Sequence, residues 1–166
     1  KKDKAKRITE DVIANELYAI VGDAEVYPGE VIATGAGELT RTHNVKKIFH
    51  AASVRGQVGR GYSPIPDIDV CIRKALELAD SEEMQNEDIH SILFPLMGTG
   101  TSRLSAQDVA DDLIDAALSY LEEVPKSKIN KVYFLAYNEQ DREICRHKFH
   151  NDPRIATPDE LSAVLA

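Results

Sequence analysis

The 166 residues carry 20 Lys+Arg against 28 Asp+Glu, a formal net charge of −8, with 43% hydrophobic and 29% charged residues. That is the size and balance of one ordinary globular domain, and no apolar run reaches the roughly 18 residues that cross a bilayer. The acidic surplus argues against broad binding of DNA or RNA, whose sequence-independent affinity comes from Lys and Arg on phosphates.

In chain order, residues 1–8 read as a solvated, frayed basic start without the apolar stretch of a secretory signal, and the expected compartment is cytoplasmic. Residues 9–21 place Ile13, Leu17, Ile20 and Val21 on one helical face, with Thr9 as cap and Gly22 as stop. Two short strands follow, at residues 30–34 and 47–52, and residues 53–66 then read as a long polar loop rich in Gly and Pro. Asp67 is placed to cap a helix with Ile68, Ile72, Ala75, Leu76 and Ala79 on its inner face, ended in solvent by acidic residues 80–88.

Residues 89–96 are nearly continuous apolar sequence, which predicts a strand covered on both faces. Ser105 and Asp108 form a capping pair ahead of Val109, Leu113, Ala117, Tyr120 and Leu121, the clearest helical pattern in the chain. A second buried strand is predicted at residues 132–137 and a helix from Gln140 to about His150. A short helix after Pro158, capped by Thr157, closes the chain. Alternating strands and helices predict parallel pairing and a three-layer α/β domain, with no internal repeat or linker. Cys71 and Cys145 lie in apolar-periodic segments without CxxC or Cys/His ligand spacing, so both read as buried thiols of a reducing compartment, and no metal site is implied.

Ligands of open α/β sheets lie outside the carboxyl ends of the strands. One place offers suitable residues: Gly98, Thr99, Gly100, Thr101 and Ser102, between the strand at 89–96 and the capped helix. Glycines let backbone amides approach a phosphate, the helix dipole favours negative charge, and the hydroxyls add donors. The same glycines would also serve a tight strand-to-helix turn. No GxxxxGK[ST] loop and no complete dinucleotide fingerprint occurs, which disfavours a kinase, GTPase or Rossmann dehydrogenase. His50 reads as a core histidine bonded to backbone; Arg55 and Arg60 either clasp an anion or are solvated; Tyr137 either stacks on a purine or caps the core.

Four successive blocks, residues 28–39, 45–53, 92–100 and 131–137, resemble in order and spacing those of macro domains, over residues from about 9 to 150. The resemblance implies a three-layer α/β/α fold with a mixed, mostly parallel sheet, and binding of ADP-ribose or a related adenine nucleotide. It implies the second phosphate loop at Gly98, Thr99, Gly100, Thr101 and Ser102, the adenine-stacking aromatic at Tyr137, and the distal-ribose loop at Ser53, Arg55 and Gly56. Thr34 to Gly37 and His50 would be structural, and no cofactor is expected. Some relatives remove ADP-ribose from proteins, so the alternatives are an ADP-ribosyl hydrolase completed by a missing N-terminal segment, or a non-binding scaffold. This chain alone leans away from catalysis.

The family's first strands, its adenine-recognising acidic residue and its Asn-rich segment are not found. The second of those strands is interior to the family's sheet, so its absence would leave unpaired edges between two strands of this chain. Another segment, a second chain or a dimer partner would then complete the sheet. Residues 1–166 read as one macro-like domain, with 151–166 a C-terminal extension.

Overall fold

The structure is a computed structural model and describes residues 10–57, 59–97 and 105–156. Helix α1 (Val12–Val21) is capped by Asp11, whose carboxylate accepts the Ala14 N–H at 3.0 Å; the expected cap, Thr9, lies outside the described residues. Gly22 ends the helix as its composition predicts. Ile13, Leu17 and Val21 are half-buried while Ile20 is exposed, so the inward face is narrower than the spacing suggests.

Strand β1 (Val31–Gly35) is followed by the short helix α2 (Glu38–His43), where no element was expected, and then by β2 (Lys47–Ala51). β1 and β2 pair antiparallel, with Val31 opposite Ala51 and Gly35 opposite Lys47. This departs from the parallel pairing expected of an alternating chain. The cause is the connection at residues 36–46, shorter than the dozen or more residues that a parallel crossover takes.

The polar loop read at 53–66 is instead a hairpin, β3 (Val54–Gln57) and β4 (Gly61–Pro64), paired antiparallel. Gly56, at φ 152°, explains why glycine is present there. A Cβ on it would lie 2.2 Å from the Gly61 carbonyl oxygen and 2.8 Å from Tyr62 Cα, so the two strands approach too closely for any side chain.

Helix α3 (Asp69–Asp80) begins later than expected. Its first residue follows Ile68, which makes no side-chain cap, and Asp67 contributes only its backbone carbonyl, accepting from the Val70 N–H at 3.3 Å. Ile68, Ile72, Ala75, Leu76 and Ala79 are all buried, as their spacing predicts. The acidic stretch after it does not trail off in solvent: Glu82–Glu87 form a 3-10 turn that buries Met84.

Strand β5 (Ser91–Pro95) and strand β6 (Lys131–Leu135) pair parallel through the crossover helix α4 (Ala106–Glu123). α4 is capped by Ser105, which accepts the Asp108 N–H at 3.4 Å, and it buries Val109, Leu113, Ala117 and Tyr120. Helix α5 (Glu139–Asn151) completes the described elements. The C-terminal helix expected after Pro158 lies outside the described residues.

The layers are complete over one strand pair only. Val31, Ala33, Phe49 and Ala51 pack toward the core beneath α3, while α1 lies over the other face. Ile92, Phe94, Val132 and Phe134 face the core, and Phe134 meets Phe149 of α5 at 6.2 Å. The opposite face of β5 and β6 is open, with Leu93 57%, Tyr133 50% and Leu135 51% exposed. The two-sided burial expected of these strands is therefore not met. β2 and β5 do not pair, and the described strands form three separate ribbons.

Candidate functional site

The parallel register of β5 and β6 brings their carboxyl ends to the same end of the ribbon, with Pro95 opposite Leu135. Both strands lead there into helix amino termini. β6 runs on to Tyr137 and then Asn138, whose side-chain oxygen accepts the Asp141 N–H at 2.8 Å and caps α5. After β5 the described residues run to Met97 and begin again at Ser105, the cap of α4. Each of the two strands is thus followed in the chain by a capped helix, whose amino end carries partial positive charge and favours anions. Asn138 followed three residues later by Asp141 is the sequence signal of this cap.

Gly98, Thr99, Gly100, Thr101 and Ser102, the expected phosphate loop, lie outside the described residues. Tyr137 is 94% exposed, so it does not cap the core. Of the distal-ribose candidates, Ser53 closes the base of the β3–β4 hairpin, its carbonyl accepting the Ile65 N–H at 3.1 Å. Arg55 is exposed on β3 and makes no ion pair among the described residues. Gly56 sits where the two strands of the hairpin come closest.

A 2.9 Å ion pair joins Lys47, at the start of β2, to Glu87, just ahead of β5. It ties the start of β2 to the turn that leads into β5.

His50 is half-buried, and its partner is a side chain rather than backbone: Nε2 lies 2.9 Å from Thr34 Oγ1. The same Thr34 Oγ1 also lies 3.2 Å from the Gly35 carbonyl oxygen. Thr34 is itself buried, and a Cβ on Gly37 at φ 53° would lie 2.9 Å from Val12 of α1. This stretch is structural, as the resemblance implies. His90 sits between two acceptors, Asp88 Oδ1 at 2.9 Å and the Lys128 carbonyl at 3.2 Å. Among the described residues no cluster of His, Cys, Asp or Glu is arranged to hold a metal ion.

Cys71 and Cys145 are both buried and unpaired. Burial pushes both thiols above their ordinary range, and Asp141 adds to the shift at Cys145. Neither has the lowered pKa of a nucleophile.

The sequence profile of the Macro domain family matches residues 6–113. The chain belongs to the macro domain family. A solved Trypanosoma brucei macrodomain in complex with ADP superposes with a TM-score of 0.57 at 17% identity, covering 84% of this chain and 57% of that one. At that identity the likeness concerns the macro fold alone, and this macro domain spans little more than half the length of the solved one. No curated protein matches the sequence. No helix among the described residues is long and apolar enough to cross a membrane.

Proposed function

We propose that this macro domain binds ADP-ribose or a related adenine diphosphate at the end of the sheet where β5 and β6 finish. Gly98, Thr99, Gly100, Thr101 and Ser102 hold the diphosphate, Tyr137 lies against the adenine, and Ser53, Arg55 and Gly56 border the distal ribose. The observation that carries this reading is that the two strands of one parallel pair end on the same side and that the next element after each is a helix with a side-chain cap, at Ser105 and Asn138. An exposed ring stands directly before one of them. That combination suits a charged diphosphate joined to a flat base. The bound ADP of the Trypanosoma macrodomain supports the same ligand class.

Calorimetry with ADP-ribose tests the reading. Saturable binding is expected, and Gly100→Glu should weaken it at least about tenfold, because a carboxylate there repels the diphosphate and fills its space. Binding that ignores the substitution removes the loop from the site. Absence of binding by ADP-ribose and by ADP, in protein shown to be folded, overturns the reading.

A further inference from the structure

The β3–β4 hairpin differs in charge from the rest of the chain. Residues 39–66 hold Arg41, Lys46, Lys47, Arg55 and Arg60 and no Asp or Glu, in a chain of net charge −8. Arg41 and Lys47 are paired with Glu38 and Glu87. Arg55 and Arg60, both exposed on the hairpin, make no ion pair among the described residues. Unpaired cations on one ribbon of an acidic molecule select for an anionic partner.

The ribbon also has a free edge of its own. The Ser53 carbonyl accepts the Ile65 N–H at 3.1 Å, and beyond it Val54 stands opposite Pro64, Arg55 opposite Ser63, Gly56 opposite Tyr62 and Gln57 opposite Gly61. Antiparallel pairs alternate between bonded and non-bonded, so Arg55 with Ser63 and Gln57 with Gly61 are bonded, while Val54 and Gly56 turn their N–H and C=O groups outward. The matching outward positions of β4 are Tyr62 and Pro64. Pro64 has no N–H, which blunts that side as an edge proline does. β3 carries no such block. The unpaired edges of β2 and β5 border a cleft of about 740 Å³ within the body of the molecule. The edge of β3 lies in solvent, with Val54, Arg55, Gly56, Tyr62 and Ser63 all exposed.

A two-stranded ribbon with both faces in water is marginal by itself, and a third strand supplies the support that it lacks. The side chains beside the free edge set what that strand carries. Arg55 and Ser63 lie on one face. On the other, Val54 is 48% exposed, and the Tyr62 ring reaches over bare Gly56, its Cδ1 3.0 Å from where a Gly56 Cβ would stand. A strand laid along β3 meets a cation on one face and an apolar ledge on the other, so its successive residues alternate between acidic and apolar. A row of outward amides and carbonyls matches a peptide backbone; a nucleic acid has no such row to pair with it.

We propose that the outer edge of β3 binds an extended acidic peptide of another protein as a third strand, its carboxylates toward Arg55 and Arg60 and its apolar side chains on Val54 and Tyr62. This docking goes beyond the nucleotide reading, which uses Arg55 and Gly56 for a different ligand.

The probe is a fluorescent peptide of about seven residues alternating glutamate and valine, long enough to span the four residues of β3, titrated without nucleotide and followed by anisotropy. Saturable binding is expected, at least about tenfold tighter than for the lysine–valine counterpart. Amide exchange at Val54 and Gly56, read by NMR, should slow on binding. Arg55→Glu combined with Arg60→Glu should reverse the preference between the two peptides. Val54→Pro removes one outward N–H and keeps both arginines, and should weaken the glutamate peptide at least about fivefold. Absence of saturable binding, equal affinity for the two peptides, or unchanged exchange at Val54 and Gly56 overturns the proposal, and so does a folded Val54→Pro protein that binds like wild type. Oligothymidylate that binds tighter than the glutamate peptide overturns it in favour of a nucleic acid. Self-association that the paired glutamate substitutions abolish overturns it in favour of a second copy. If Val54→Pro does not fold, the exchange measurement on the wild-type chain decides. Because no nucleotide is present, failure here leaves the ADP-ribose measurement untouched.

Discussion

Tyr137 stands 94% exposed immediately before the Asn138 cap of α5, where it adds nothing to core packing. Its truncation therefore separates binding from folding. Tyr137→Ala should leave the thermal midpoint unchanged and weaken ADP-ribose binding roughly tenfold, since a base on an aromatic ring is worth about 1–3 kcal/mol. Unchanged affinity in a titration removes Tyr137 from the site. The two cysteines make the opposite case. Cys71 and Cys145 are buried with thiols pushed up by desolvation, so a disulfide reagent should titrate none in the native protein and two after unfolding. Their burial was readable because each occupies an apolar position of a helical period. The partner of His50 was not, because Thr34 reaches it only through β-pairing across residues remote in sequence.

Helix α4 shows how an element can be written almost wholly in local code. Its cap, its period and its fully buried Leu113 and Ile114 all follow from neighbours within a few residues. Leu113→Ala should cost about 2–5 kcal/mol in chemical denaturation, the range for emptying a packed leucine site; a loss under about 1 kcal/mol would mean that the core closes over the gap. The β3–β4 hairpin shows the limit of such code. Its sequence is glycine-rich and polar, without alternation, and it becomes a ribbon only because Gly56 lets Gly61 and Tyr62 pass within contact distance. The 3-10 turn at Glu82–Glu87 is similar: its single buried residue, Met84, has no periodic neighbours to announce it.

Across the molecule, a charge cluster joins α4 to the end of α5. Asp115 and Asp152 share Lys148 and Arg154, with Lys148 Nζ at 2.9 Å from Asp115 and 3.2 Å from Asp152. The guanidinium of Arg154 bonds to Asp152 and holds its carboxyl far below the ordinary carboxylate range. Burial raises Asp115, but its bonds to Lys148 and Arg154 outweigh that and lower it. Carboxylates depressed in the folded state stabilise above their unfolded pKa of about 3.9, and that stability is lost as pH falls through the folded values. Asp152→Asn should therefore destabilise the protein at neutral pH, with the gap from wild type shrinking as pH falls below about 4. A gap independent of pH between 7 and 2, in parallel thermal melts, would remove this cluster from the acid response.

The sequence by itself determined the inner faces of α3 and α4, the buried thiols, the approximate place of every strand except β3 and β4, and the family, because each is carried by short-range spacing or by motif order. Only the tertiary structure decided that β1 and β2 run antiparallel, that β5 and β6 are covered on one face, and that β2 and β5 stand apart over an open trough. A strand's own residues specify an extended shape and a side-chain period. Which edge meets which is settled by segments distant in the chain.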